Sequence, residues 1–411
     1  MGRSERDDLF LEAISAGIRG QRVDWVPLDP QLWAALFSLA EGQKLLPILT
    51  DAVCVCPNAE TDPDFRLRRG AAKRQVMLQA GKDAVFSRVY SRLREAEIDA
   101  LVVKGSLCRS VYPNGALRIS ADEDLLVGEA QFPKACGLLE RMGLRPASGE
   151  AAERGSEISW RSPDGLLELE LHRFLFDPDS GPFGLLQALF TDVFSRVREY
   201  ELAEGGRVLS LSPHDHLLYL LMHAMKHFIR TGFGLRQICD VGLWATRWQR
   251  EIDWSLLRQQ TEQVRGTAFC AALFRIAEQE LKIPLDLPAL WREAAPDPGP
   301  MLKDLLEGGI YGSSTQSRVH SARITQDAVT AQREGKRRSL RTVLFPPAAS
   351  LEQDYPILKE HPAALPLVWQ TRLLRYLKKT GGSAEHSPTE ALRLGQQRVQ
   401  LLRDYGILED E

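Results

Sequence analysis

Residues 98–127 read IDALVVKGSLCRSVYPNGALRISADEDLLV, and this stretch decides the expected fold. The runs at 98–103 and 122–127 predict two β-strands, because short apolar runs bounded by glycine and proline are typical of strands. Ser106 to Tyr112 predicts a short helix between them, which ends at Pro113-Asn114-Gly115. A strand, a short helix and a second strand in this order indicate a small α/β unit.

Further strands and helices are expected around this unit. A helix from about Ala130 to Met142 comes next, followed by a hairpin with strands at 158–161 and 166–172 around the turn Ser162-Pro163-Asp164-Gly165. The remaining chain shows helical periodicity, and further helices are expected at 65–96, 214–229, 235–250, 254–281 and 363–379. The expected fold class is therefore α/β (α+β), with a small mixed sheet flanked by N- and C-terminal helical segments.

The length of 411 residues is sufficient for several packed cores. Four domains are expected: an N-terminal helical region at 1–95, a catalytic domain at 96–205, a helical domain at 206–295, and an irregular and helical extension at 296–411.

Composition and charge exclude several classes of protein. Hydrophobic residues make up 44% and charged residues 26%, which is the balance of a globular protein. The formal charge of −3 disfavours a nucleic-acid partner, because proteins that bind nucleic acids usually have a net positive charge. The polar N-terminus and the absence of a long apolar run predict a cytoplasmic protein without a membrane partner.

Acidic side chains converge on one face of the expected sheet. Residues two apart on a strand share a face, so Asp122 and Asp124 project together. In the strand at 166–172 the same alternation places three leucines on one side and Glu168, Glu170 and His172 on the other. Clustered carboxylates need a positive partner, and a hard divalent cation with oxygen ligands supplies it. Magnesium is the expected cofactor, with manganese as the alternative, since magnesium binds through one or two carboxylates and substrate phosphates.

Glu170 is the expected third metal ligand and the general base. It would take the proton from an acceptor hydroxyl that attacks the α-phosphorus of a nucleoside triphosphate. Glu168 is interpreted as a solvated neighbour.

Lys104, Gly105 and Ser106 lie at a junction between a strand and a helix, where free backbone N–H groups can receive phosphate. Gly105 allows the backbone to come close to a phosphate. Ser106 can cap the helix and donate to a phosphate oxygen. Lys104 or Arg118 would neutralise the charge on the leaving pyrophosphate.

These motifs carry a resemblance to a known family. The run 101–107, Tyr112-Pro113, Arg118 and the acid pair at 122–124 resemble the glycine-containing motif and acid pair of the DNA polymerase β nucleotidyltransferase superfamily. More narrowly, they resemble a bacterial family of uncharacterised nucleotidyltransferases. In that family a strand ending in acid-Leu-His supplies the third carboxylate, which Glu170-Leu171-His172 matches. The resemblance implies a transferase that uses a nucleoside triphosphate such as ATP.

The sequence departs from this family at two positions. Glu123 stands where the family more often has an apolar residue, and Glu170 replaces aspartate at the third position. Glu123 is expected to face away from the metal. His172 is expected either to contact a phosphate or to hydrogen-bond its neighbours.

Residues outside the motif leave other readings open. His223 and His227 are four residues apart on an expected helix, but the glutamate of a zinc-protease motif is missing between them. Together with Lys226 and Arg230, they are expected to face the nucleotide or to pack the helical domain. Asp240 is expected to form an ion pair near Arg236.

The sequence leaves three acceptors open: a small molecule, a peptide or protein side chain, and an RNA end. One alternative function is an inactive scaffold or binding protein with the same fold. Another is a toxin that modifies tRNA ends, which the basic cluster at 333–341 would serve.

Overall fold

A computed structural model describes residues 3–147, 156–203, 205–230, 232–308 and 388–409, and between these 325–326, 328–330, 332, 355, 357–369 and 371. The basic cluster at 333–341 lies outside the described residues. The helix expected at 363–379 is described only in part, as a 3-10 turn at Pro362–Ala364 followed by helical residues to 369 and at 371.

The described chain contains one seven-stranded mixed sheet. Its strands are β1 (Ala100–Val102), β2 (Glu123–Val127), β3 (Arg145–Pro146), β4 (Glu157–Arg161), β5 (Glu168–His172), β6 (Arg198–Glu201) and β7 (Arg207–Ser210), in the spatial order β3-β4-β5-β2-β1-β7-β6. The expected mixed α/β fold with flanking helices is confirmed.

Strand register fixes which side chains meet at the centre of the sheet. β2 runs parallel to β5 and places Asp124 opposite Glu170, with Leu126 opposite His172. β1 is antiparallel to β2 and parallel to β7. The expected hairpin is present as the antiparallel pair β4 and β5, whose turn closes with a bond from the Gly165 N–H to the Ser162 carbonyl at 2.9 Å.

Helices surround this sheet in chain order. The first five are α1 (Glu5–Ile18), α2 (Pro30–Gly42), α3 (Leu46–Ala52), α4 (Pro57–Thr61) and α5 (Phe65–Glu95). Between the strands lie α6 (Ser106–Arg109), α7 (Phe132–Arg141) and α8 (Gly184–Gln187). The remaining described helices are α9 (Pro213–Ile229), α10 (Leu235–Trp248), α11 (Trp254–Gln263), α12 (Thr267–Gln279), α13 (Ala289–Glu293), α14 (Gly299–Gly308), α15 (Ile357–Glu360) and α16 (Pro388–Asp404).

Two helix predictions need correction. The single helix expected at 254–281 is two helices, α11 and α12, because Arg265 adopts a left-handed φ of 58° and ends the first one. The short helix at 106–112 stops at Arg109. The sequence pattern also missed α16, after which Tyr405 is fully buried and donates to the carbonyl of Asp297 at 2.9 Å.

Two long helices hold the centre of the sheet in place. α5 packs against β1, and its Tyr90 hydroxyl donates to the carbonyl of Ala100 at 3.2 Å. α9 begins at Pro213, where the Ser212 hydroxyl accepts the Asp215 N–H, and its fully buried His216 donates from Nε2 to the carbonyl of Val103 at 2.8 Å. β1 is therefore held at its first residue by α5 and just past its last residue by α9.

The buried apolar side chains form one main cluster that runs from α1 to the residues after α16. The proposed division into four domains therefore stays a prediction. Within the described residues, none of the helices combines the length and apolar composition needed to cross a membrane.

Candidate active site

Asp124, Glu170 and His172 form the group best suited to hold a metal ion. Each offers one ligand atom, and these atoms lie within 4.8 Å of one another. The parallel pairing of β2 and β5 produces this arrangement, because it places Asp124 beside Glu170 at the same level of the sheet. The Oδ2 atom of Asp124 is buried and has no hydrogen-bond partner among the described residues. A buried, unsatisfied carboxylate oxygen is costly unless a ligand completes it.

His172 lies at the centre of three carboxylates. Its Nε2 atom is 3.2 Å from Asp124 Oδ1 and 3.6 Å from Glu170 Oε2, and its Nδ1 atom is 3.3 Å from Glu157 Oε2. Burial opposes the charged imidazolium, but hydrogen bonds to Asp124, Glu157 and Glu170 outweigh it and raise the pKa of His172 well above its usual value. His172 therefore hydrogen-bonds its neighbours, and the expected phosphate contact stays a prediction. A metal-bound histidine must be neutral, so metal binding through this ring would displace its proton.

Glu157 is a member of this group that the sequence pattern did not identify. It is the first residue of β4 and pairs in register with His172. Its hydrogen bond to His172 lowers its pKa to about 2. The expected strand began at residue 158, so the alternation of its side chains gave no role to Glu157.

Asp122 immediately precedes β2 and is half-buried. It is not part of the group of Asp124, Glu170 and His172, and it makes no hydrogen bond or ion pair with a described residue. Its negative charge nevertheless acts on Lys104, as does that of Asp124. Asp122 therefore contributes to the same electrostatic environment.

Lys104 connects the acidic group to α9. Its Nζ atom lies 3.0 Å from Asp124 Oδ1 and 3.1 Å from His223 Nε2. Burial opposes its charge, but the carboxylates of Asp124 and Asp122 hold the pKa of Lys104 well above its usual value. Lys104 is therefore a fixed positive charge at the acid group.

At the turn of Gly105 and Ser106, one backbone N–H group is not free to bind phosphate. Gly105 has a φ of 55°, and the N–H of Ser106 donates to Glu123 Oε2 at 2.7 Å. That N–H is therefore already satisfied, contrary to the expectation that it receives phosphate. Ser106 is also the first residue of α6 and not its cap, which is Gly105. The Ser106 hydroxyl remains buried without a partner among the described residues, and so keeps its expected capacity to donate to a ligand.

Glu123 lies on the other side of β2 from Asp124, as strand alternation predicted. It is fully buried, and its Oε1 atom accepts from Ser120 Oγ at 2.9 Å and lies 3.4 Å from both Lys82 Nζ and Arg109 Nη1. Burial alone would raise the pKa of Glu123, but Arg109 and Lys82 reverse this effect and lower it. Glu123 is thus paired with buried cations on the side of β2 opposite Asp124.

Arg118 has a supporting position. Its Nη2 atom lies 2.6 Å from Asp240 Oδ2, Nε donates to Oδ1 at 3.2 Å, and Nη1 donates to the Gly105 carbonyl at 3.3 Å. The Tyr112 hydroxyl donates to the same Asp240 carboxylate at 2.7 Å. The structure therefore gives Asp240 the partners Arg118 and Tyr112, and not the expected Arg236. The buried guanidinium holds the Gly105 turn, so its expected contact with pyrophosphate has no support in this geometry.

α9 presents a row of nitrogen-bearing side chains to the acid group. His223 Nε2 lies 3.1 Å from His227 Nε2, and burial lowers the pKa of both rings well below the usual value, with Lys104 adding to the effect. Neither histidine belongs to the metal-ligand group found among the described residues. The expectation that this face lines a nucleotide cleft or packs the helical domain stays a prediction.

Comparison with known proteins agrees with this geometry. No curated protein and no solved structure shows a significant match to the chain. The sequence model of a family described as uncharacterised nucleotidyltransferase matches residues 29–282, a range that contains the whole described sheet and helices α2 to α12. The chain belongs to this uncharacterised nucleotidyltransferase family.

Proposed function

We propose that the protein transfers a nucleoside monophosphate from a nucleoside triphosphate to an acceptor hydroxyl and releases pyrophosphate, with Mg²⁺ as cofactor. The observation that carries this proposal is the unpartnered, buried Oδ2 of Asp124 beside Glu170 on the parallel neighbouring strand. Membership of a nucleotidyltransferase family supports the reaction class. The order of the glycine turn, the acid pair and the third acid supports assignment to the DNA polymerase β superfamily.

The donor set fits a hard divalent cation. Asp124 and Glu170 would supply oxygen ligands and His172 a nitrogen when it is neutral, and Asp122 lies one residue before β2. Carboxylates and water suit Mg²⁺ and Mn²⁺. When bound, the cation neutralises phosphate charge and helps to orient the triphosphate.

Glu170 is the residue best placed to act as base. Its side chain is 30% exposed, whereas that of Asp124 is 1% exposed, so an acceptor can reach Glu170. The carboxylate of Glu170 takes the proton of the acceptor hydroxyl as its oxygen forms a bond to the α-phosphorus. The bond from the α-phosphorus to the bridging oxygen breaks, and that oxygen leaves with pyrophosphate.

Lys104 and Ser106 stabilise the phosphates in this proposal. Lys104 already lies 3.0 Å from Asp124, so its ammonium can offset the charge on the leaving group. The unpartnered Ser106 hydroxyl can donate to a phosphate oxygen. The acceptor is proposed to be a small molecule or a peptide or protein side chain, because the net charge of −3 disfavours a nucleic acid.

A second candidate is a nucleotide-binding protein without turnover. One observation favours it: Lys104 and His172 already compensate the charge of Asp124, and Glu123 occupies the Ser106 N–H. The experiment that separates the two is incubation of the purified protein with each labelled nucleoside triphosphate and Mg²⁺. The enzyme predicts pyrophosphate release and label on the protein or on an added acceptor, both lost in Asp124→Asn. Nucleotide binding without pyrophosphate release in the presence of acceptor extracts supports the second candidate.

A further inference from the structure

The basic side of α9 has a regular spacing. His223, Lys226, His227 and Arg230 occur at intervals of three, four and seven residues, which places them on one face of a helix. His223 fixes the direction of this face, because its Nε2 lies 3.1 Å from the Lys104 ammonium that contacts Asp124. The basic face of α9 is therefore directed at the acidic group.

Lys226 is half-buried on this face and lacks a close partner. Its ammonium makes no hydrogen bond or ion pair with any residue that the structure describes. Burial lowers the pKa of Lys226, and the carboxylate of Glu157 acts in the opposite direction. The Nζ atom of Lys226 is not among the buried nitrogen atoms that lack a partner, so it is accessible and an anionic ligand can contact it.

Arg230 extends the same row toward solvent. It follows the last residue of α9, is exposed, and its guanidinium lies 5.1 Å from the centre of the Phe183 ring. A guanidinium held against an aromatic face keeps its N–H groups directed outward in its plane. Together, Lys226 and Arg230 place two basic side chains on this face of α9, one half-buried and one exposed.

We propose that Lys226 and Arg230 bind the β- and γ-phosphates of the nucleoside triphosphate. This inference rests on the proposed function, and it assigns the polyphosphate end of the substrate to α9. The acidic group takes the α-phosphate region, because the general base Glu170 belongs to it. Lys226 and Arg230 follow His223 by three and seven residues on the same face of α9, so this proposal assigns them the phosphates beyond the α-phosphate. They therefore make the protein selective for triphosphates over monophosphates.

Equilibrium binding tests this assignment with defined probes. The affinities of ATP, GTP, CTP and UTP, of the corresponding monophosphates, and of inorganic tripolyphosphate are measured with Mg²⁺ by calorimetry. Lys226→Ala is expected to weaken triphosphate and tripolyphosphate binding by about tenfold or more, since hydrogen bonds to charged groups contribute roughly 1.5–3 kcal/mol. Arg230→Ala is expected to act in the same direction, and monophosphate binding is expected to stay unchanged. Lys226→Arg is expected to recover part of the loss.

Lys303→Ala is the matched control, because Lys303 is an exposed lysine on α14 with a side chain 70% exposed. Arg230→Ala is expected to stay folded, because Arg230 is exposed and its removal leaves the core intact. It therefore keeps the test valid if Lys226→Ala does not fold. Variants that keep the wild-type ratio of triphosphate to monophosphate affinity would overturn the inference and leave the proposed function intact. A wild-type protein that binds none of the four triphosphates overturns the proposed function and the inference with it.

Discussion

The carboxylate of Glu123 accepts a hydrogen bond from the backbone N–H of Ser106 at 2.7 Å. This contact joins the two halves of the motif, the glycine turn after β1 and the acid pair at β2. It also connects the turn to α5, because Lys82 lies 3.4 Å from the same carboxylate group. Glu123 thus helps to determine the shape of the turn beside Asp124.

Glu123→Gln is predicted to destabilise the protein. The change leaves the buried ammonium of Lys82 without a charged partner, and loss of one member of a buried ion pair costs on the order of 3 kcal/mol. The free energy of unfolding from urea titration measures the effect. Glu168→Gln is the control, because Glu168 pairs among the described residues with the exposed Arg161 and should change stability by less than about 1 kcal/mol. Equal effects of the two substitutions would contradict the assigned role of Glu123.

Gly105→Ala is predicted to distort the same turn. Gly105 has a φ of 55°, and a Cβ atom there would lie 2.0 Å from Glu123 Oε2. The left-handed backbone alone costs about 1 kcal/mol for alanine, and the clash adds to it. Shortening the acid with Glu123→Asp should relieve the clash, so the double variant is predicted to be more stable than the sum of the single effects. Strict additivity in urea unfolding would show that the two side chains do not compete for this space.

Asp240→Asn is predicted to destabilise the turn from the opposite side. Asp240 binds two nitrogen atoms of Arg118, and both side chains are buried. Removal of the charge leaves a buried guanidinium uncompensated and costs about 3 kcal/mol or more. Arg118→Lys should also be destabilising, because lysine cannot reproduce the two-point contact. Unfolding free energies within about 0.5 kcal/mol of wild type would contradict a structural role for this pair.

Stability is predicted to fall in mild acid because of His216. Burial lowers the pKa of His216 to about 4, although its bond to the Val103 carbonyl acts in the opposite direction. Between about pH 6.5 and pH 4 the unfolded chain binds a proton at this residue and the folded protein does not. As the pH falls through that window, this group lowers the free energy of unfolding by roughly 1.4 kcal/mol per pH unit, and above the window it has no effect. Urea titrations should show a shallower acid dependence for His216→Asn than for wild type. Identical slopes would contradict a neutral, buried His216.

Several features of the fold and site were predictable because they depend on neighbouring residues. The alternation of side chains separated Glu123 from Asp124 on β2 and identified the faces of β5, and the turn residues at 162–165 identified the hairpin. Proline after Ser212 located the start of α9. Each of these signals lies within a few residues of the structure that it determines.

The missed features depend on contacts between distant parts of the chain. Arg118 and Asp240 are 122 residues apart, so no local pattern shows that they form a buried pair. Lys104 and His223 are 119 residues apart. The burial of Glu123 likewise requires α5, because Arg109 holds both Glu123 and Asp83 of that helix. The sequence therefore located the acids, while packing determined which cations and N–H groups each of them uses.

Binding of Mn²⁺, followed by electron paramagnetic resonance, tests the central claim most directly. Wild-type protein is predicted to bind a single Mn²⁺, and Asp124→Asn and Glu170→Gln are predicted to weaken this binding by at least about tenfold. Glu168→Gln, two residues away on the same strand, is predicted to bind as wild type does. Equal Mn²⁺ affinity in wild type and Asp124→Asn would contradict the account, because the cation would then have no place at Asp124.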